Sequence, residues 1–194
     1  MAGMEQIHAK SYSTIFTTIA SKEEIHALFQ WTEENPFLQK KAEIISKQYM
    51  NLLQKDVEKE ILYKALVTSV FLESFLFYSG FFYPLFLAGQ GKMTNSGEII
   101  NLIIRDESIH GVYVGLLAQK IYQDFPEEKQ TKLDIWIRNL LNELMENEKQ
   151  YTKQLYDAIG LTKDVNDFLV YNANKAMMNL GFEPMYPPVE INPI

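Results

Sequence analysis

Between Ala65 and Ala88 the chain carries a single charged residue, Glu73, flanked by Val70-Phe71-Leu72 on one side and Phe75-Leu76-Phe77 on the other. A run this long and this apolar fits a helix covered on nearly every side. It is long enough to tempt assignment as a membrane span. However, Glu73, Ser69, Ser74, Ser79, Gly80 and Pro84 interrupt it, which favours a buried helix in a large bundle. An isolated carboxylate in such surroundings is expensive, so Glu73 must be protonated, paired or metal-bound.

The rest of the chain is patterned for helices. Apolar residues recur at helical spacing over residues 2–19, and Ser21 with Glu24 forms a capping box for a short helix from Lys22 to Glu34. Pro36 suits the first turn of a helix running to Gln54, and a long helix is expected from Val57 to Leu87. Gly89-Gln90-Gly91 breaks it, Thr94-Asn95-Ser96 is expected to cap a helix over 97–122, and Pro126 opens another that ends at Gly160. Asp164 is expected to cap the last helix, which ends near Gly181. Pro184, Pro187, Pro188 and Pro193 forbid helix beyond it. No segment alternates as a strand would. The expectation is therefore an all-α bundle of antiparallel neighbours, in one domain over residues 1–194.

Composition narrows the chemistry. Hydrophobic residues make up 47% and charged residues 22%, which describes a folded chain. A net charge of −7 disfavours a nucleic-acid backbone binder, which needs a basic face. The N-terminus lacks a signal peptide's pattern, so a soluble, cytoplasmic protein without a membrane partner is expected. There is no cysteine, so any metal must sit on histidine, carboxylates or carbonyls.

Each of the three histidines follows a glutamate by three residues: Glu5–His8, Glu23–His26 and Glu107–His110. On a helix that spacing puts both side chains on one face, about 5–6 Å apart at Cβ, so both can reach one ion. Two such pairs on two helices, with a glutamate from each of two others, are how four-helix bundles hold two metal ions. Glu23–His26 lies in the polar first turn behind the Ser21 cap, where the helix dipole explains the acid, and is expected to be a decoy in solvent. Glu5–His8 and Glu107–His110 sit deeper in longer helices. With Glu73 they form the candidate ligand set.

Other residues extend this constellation. Tyr12 lies one turn beyond His8 on the same stripe, as a redox-active phenol would, although an ordinary core tyrosine would stand there too. Phe77 and Phe81 follow Glu73 at four-residue steps, and Ile103 precedes Glu107 by four, an arrangement that fits either an apolar wall around a reactive centre or plain core packing. Asp106 is placed to accept the free N–H of a ligating imidazole, or to pair with Arg105 at the surface.

Three long segments then resemble one family. Met4-Glu5-Gln6-Ile7-His8-Ala9-Lys10-Ser11-Tyr12-Ser13, Val70 to Phe81, and Ile103-Ile104-Arg105-Asp106-Glu107-Ser108-Ile109-His110-Gly111 are similar to class Ib ribonucleotide reductase small (beta) subunits. The likeness runs on through Thr32-Glu33-Glu34-Asn35 to Leu180-Gly181-Phe182-Glu183-Pro184. The resemblance implies a ferritin-like helical fold, usually homodimeric. It also implies two manganese or two iron ions on Glu5, His8, Glu73, Glu107 and His110. Tyr12 would then be oxidised to a stable radical by an oxygen-derived oxidant. That radical would start ribonucleotide reduction in a large catalytic subunit, and a flavodoxin-like activase would deliver oxidant along a route lined by Ser74, Tyr78, Lys175 and Asn179.

The resemblance further implies an aspartate ligand and a relay tryptophan before Glu5, and a docking tail with a relay tyrosine beyond Ile194. Neither stands in this sequence, so the chain is expected to be truncated at both ends. Alone, it is expected to form no lasting radical unless a complementing N-terminal fragment is supplied. Two alternatives stay open: another ferritin-like dimetal oxidase with an open substrate pocket, and an inactive structural remnant.

Overall fold

The computed structural model describes residues 1–189, and among these there are helices and connecting turns but no strand. Eight α-helices follow in order: α1 (Ala2–Ile19), α2 (Lys22–Glu34), α3 (Pro36–Met50), α4 (Lys59–Phe71), α5 (Tyr78–Gly89), α6 (Thr94–Tyr122), α7 (Glu127–Tyr156) and α8 (Thr162–Asn179). The expected all-α class is found. Past Gly181 the described chain has no helix; Pro193 lies outside the described residues.

Local chemistry accounts for most boundaries. Ser21 Oγ accepts from the Glu24 amide at 3.3 Å, while the Glu24 carboxylate accepts from the Ser21 amide at 2.8 Å, completing the capping box. The Asn35 side chain accepts from the amides of Phe37 and Leu38 ahead of Pro36 in the first turn. Gly181 adopts a left-handed φ of 83° just past α8, and Phe182 N–H reaches back to Met177 O, which closes the helix end.

Five expectations are corrected. The helix expected over Val57–Leu87 spans Lys59–Gly89 and is not uniform, because residues Leu72–Leu76 form a π turn between α4 and α5. Such wide turns are uncommon inside α-helices and often accompany functional sites; this one surrounds Glu73. Thr94-Asn95-Ser96 do not cap α6 but form its first turn, because the left-handed conformation of Met93 turns the chain into the helix earlier. Asp164 stands inside the first turn of α8, where its charge suits the helix dipole, and its side chain makes no cap. α3 stops at Met50 and α7 at Tyr156, each followed by one tighter 3₁₀ turn.

Helices α4 and α5, with the π turn between them, are the axis of the molecule, packed against α6, α7 and α8. Val67, Phe71, Phe75 and Phe82 are fully buried, and Ile137, Leu141, Leu144, Leu169 and Met177 close over them. Lys59–Gly89 is long and apolar enough to cross a membrane, but 67% of its most apolar stretch is buried against its neighbours, as in a core helix. Gly111 of α6 permits close approach of α8 and the π turn, since a β-carbon there would strike Ser74 Oγ and crowd the Asn179 side chain. The α2 helix contributes no buried residue.

Candidate metal centre

Three elements converge on one point. The α1 helix brings Glu5, His8 and Tyr12, the π turn brings Glu73, and α6 brings Asp106, Glu107 and His110. The two histidines and Glu107 are buried, with ring centroids of His8 and His110 6.3 Å apart. Both imidazoles turn Nδ1 inward onto the same carboxylates. His110 Nδ1 lies 2.9 Å from Glu107 Oε2 and 3.2 Å from Glu5 Oε1; His8 Nδ1 lies 3.0 Å from Glu107 Oε1 and 3.4 Å from Glu5 Oε2. The candidate donor atoms of Glu5, Glu107 and His110 all fall within 4.8 Å of one another.

Electrostatically the cluster is incomplete on its own. Among the described residues no lysine or arginine pairs with Glu5, Glu73 or Glu107. Burial, a hydrogen bond with Glu107 and the charges of Glu107 and Glu5 push the Glu73 carboxyl up to about 9. Glu73 Oε2 and His110 Nε2 are buried with no hydrogen-bond partner, and the approach of His8 Nδ1 to Glu107 is not aligned for one. Burial lowers the His8 pKa, but the hydrogen bond to Asp106 and the charges of Glu107 and Glu5 outweigh it, so the net shift is upward. Acceptor-rich, cation-poor and facing inward, these atoms suit hard or borderline divalent ions on oxygen and nitrogen donors.

The surroundings follow in layers. His8 Nε2 meets Asp106 Oδ2 at 3.0 Å, the contact that fixes an imidazole so that its other nitrogen faces the cluster. Tyr12 is half-buried beside Glu5, His8 and Glu107. Burial, with the charges of Glu107 and Glu5, raises its phenol far above the ordinary range. These residues open onto a groove of about 510 Å³, lined almost wholly by apolar groups including Ile15, Phe77, Phe81, Pro84 and Ile100. Phe77 is 37% exposed, so the phenylalanine side of this groove is open rather than sealed. Ile103 is buried in the core, and Ile100, one turn earlier, lines the groove.

Beside the cluster along α6, Asn179 Nδ2 donates to Ser74 Oγ at 3.1 Å and Lys175 Nζ to Ser108 Oγ at 3.3 Å. Tyr78 and Lys175 border a cleft of about 210 Å³ with Asn101, Ile104 and Tyr171, and burial lowers the Lys175 ammonium. His26 is exposed, far from this chemistry in character, as its polar first turn implied. Sequence reasoning missed Ile100 and Ser108, although both lie within one or two turns of Glu107 on α6.

The sequence model of the ribonucleotide reductase small chain matches residues 1–193. The chain belongs to that family. It is 58% identical to the ribonucleoside-diphosphate reductase subunit beta of Bacillus subtilis over 195 residues, which covers 100% of this chain and 59% of that protein. Against the reductase 2 subunit beta of Escherichia coli it is 45% identical, covering 98% and 58% respectively. Among solved structures, the dimanganese(II) form of NrdF from Streptococcus sanguinis aligns with a TM-score of 0.89 at 51% identity, over 98% of this chain and 65% of that one. The chain thus spans about three-fifths of the length of the curated relatives it matches. The likeness to NrdF and to other reductase small subunits is the class Ib, ferritin-like resemblance that the three motif segments carry.

Proposed function

We propose that this chain is the metal-holding core, in one domain, of the radical-generating beta subunit of a ribonucleoside-diphosphate reductase. The observation that carries the reading is the cluster itself: two buried imidazoles turned onto shared carboxylates, with no lysine or arginine among the described residues to neutralise them. Glu5, His8, Glu73, Glu107 and His110 would hold two manganese or two iron ions. Bound there, and activated by an oxygen-derived oxidant, the ions would supply a one-electron oxidant strong enough for a phenol.

The protein's own groups do the rest. Tyr12 is held protonated by burial and by the Glu107 and Glu5 charges, so its loss of an electron would be coupled to loss of its hydroxyl proton. Asp106 orients His8. Ile15, Phe81 and Ile100 put apolar surface beside the phenol, and the groove that they line stays open at Phe77. Ser74, Tyr78, Lys175 and Asn179 would line the route by which a flavodoxin-like activase delivers oxidant, a reading supported by the polar contacts of Ser74 with Asn179 and of Lys175 with Ser108 beside the cluster. In the full assembly the radical would start ribonucleotide reduction in a large catalytic subunit. A homodimer, a cytoplasmic setting and a complementing N-terminal fragment belong to the same proposal.

Equilibrium binding of Mn(II) tests the site. Two ions per chain are expected, and Glu107→Ala should abolish binding while helical content is kept. With a fragment supplying the family's preceding helices, Fe(II) and O₂ should give a tyrosyl signal in electron paramagnetic resonance that Tyr12→Phe removes. No metal binding with or without the fragment, or a signal undiminished in Tyr12→Phe, overturns the reading.

The open apolar groove beside the cluster favours one second reading, a ferritin-like dimetal oxidase acting on an elongated apolar substrate. A fatty acid found by mass spectrometry in the purified protein, with no Tyr12 radical, would select it.

A further inference from the structure

A second group of buried charges lies beneath the π turn and has no part in the chemistry above. Glu148 of α7 is 0% exposed, among Leu144, Met145 and Tyr151. Its Oε2 accepts from Ser79 Oγ at 2.6 Å, and its Oε1 lies 2.5 Å from Lys41 Nζ of α3, an ion pair that is not aligned as a hydrogen bond. The same ammonium donates to the carbonyl of Leu76, the last residue of the π turn, at 3.2 Å and lies 5.1 Å from the Tyr151 ring centre. Tyr156 O–H donates to the Ser79 carbonyl at 2.6 Å.

These contacts fall where the backbone needs them. In an unbroken α-helix the Gly80 amide would point at the Leu76 carbonyl, but here it donates to Phe77 O at 3.0 Å. The widened turn therefore turns a buried carbonyl away from its usual donor, which is costly without a replacement. Lys41 is the replacement, and Glu148 is what allows a lysine to sit there: a buried ammonium needs a counter-charge, and a buried carboxylate needs donors. Ser79 and Tyr156 fasten the residues just beyond. The turn so held carries Glu73.

We propose that Lys41, Glu148 and Ser79 form a positioning clamp that fixes the π turn and thereby aims Glu73 at the metal pair. This rests on the reading of Glu73 as a ligand. The three are positioning residues; none of them faces the cluster. The paired charges keep the turn from relaxing to regular helix, which would swing Glu73 about the helix axis by the offset of one residue.

The test compares wild type with Lys41→Met/Glu148→Gln, which removes both charges together so that neither is stranded, and with Lys41→Arg, which retains the cation. Amide hydrogen exchange of the metal-free chain should speed up locally over residues 75–81 in the double variant and leave residues 133–141 of α7 unchanged. Its Mn(II) affinity should fall about tenfold or more, the usual scale for groups that orient ligands, with much of the loss recovered in Lys41→Arg. Unchanged exchange at the turn, or acceleration spread evenly through α7, overturns the clamp. Wild-type Mn(II) affinity in the double variant overturns the positioning role while leaving the metal site standing. A wild-type chain that binds no Mn(II) overturns the metal reading and the positioning role with it.

Discussion

The molecule buries charge in two places, by opposite rules. Under the π turn the buried charge has its complement: Glu148 meets Lys41 and Ser79; at the rim, in the first turn of α4, the partly exposed Glu60 likewise meets Lys64 at 2.7 Å and also Lys129. Above the turn, Glu73 and Glu107, with the half-exposed Glu5, crowd two buried histidines, and among the described residues no lysine or arginine pairs with them. Low-dielectric surroundings raise the cost of both arrangements, but only the first is closed by the chain itself. The contrast teaches that the first group is scaffold and the second is a site completed from outside.

The largest effect should come from breaking the closed arrangement. Glu148→Ala strands the Lys41 ammonium and frees Ser79, and should cost roughly 3–5 kcal/mol in denaturant unfolding of the metal-free protein. A cost under about 1 kcal/mol would mean that this pair is not truly buried and that the contrast is drawn in the wrong place.

The open arrangement should respond with the opposite sign. Glu73→Leu removes a buried carboxylate whose Oε2 has no partner, so the metal-free protein should gain stability, by roughly 1–3 kcal/mol. Wild type should in turn be stabilised by Mn(II), by about 2.7 kcal/mol per ion bound at a hundredfold excess over the dissociation constant, and the variant should lose much of that gain. Thermal melts with and without Mn(II) check both halves. A variant less stable than wild type without metal would show that Glu73 is structural.

The smallest effect sharpens the comparison at the rim. Lys129 and Lys64 hold the Glu60 carboxylate below its ordinary value of 4.5. A lowered folded-state pKa adds stability that is present above the unfolded value and lost as pH falls through the folded one. Glu60→Gln should therefore cost no more than about 1 kcal/mol at pH 7, since the pair is partly solvated. The difference from wild type should close as pH drops below about 4.5. A gap that persists at low pH would point to packing rather than charge.

Much of this was legible in the residues. Helical periodicity, the Ser21–Glu24 box, Pro36 and Gly181 are local signals, and local signals place helices well. The paired Glu-x-x-His spacing named four of the cluster's side chains, and the lone acid at Glu73 could be singled out because its neighbours are so apolar. Lys41 and Glu148 were not singled out. A lysine in the middle of a helix reads as surface, although Glu148 does continue the buried stripe of Leu141 and Leu144.

The sequence by itself determined the helical class, the candidate ligands and the family, because these depend on spacing along one helix or on segments that can be compared residue by residue. Only the tertiary structure decided that α1, the π turn and α6 meet at one point, that Nδ1 of both histidines faces inward, and that the helix through Glu73 is widened. Those outcomes depend on which carbonyls and carboxylates find partners on distant helices. That is settled by packing across the bundle, which no local pattern encodes.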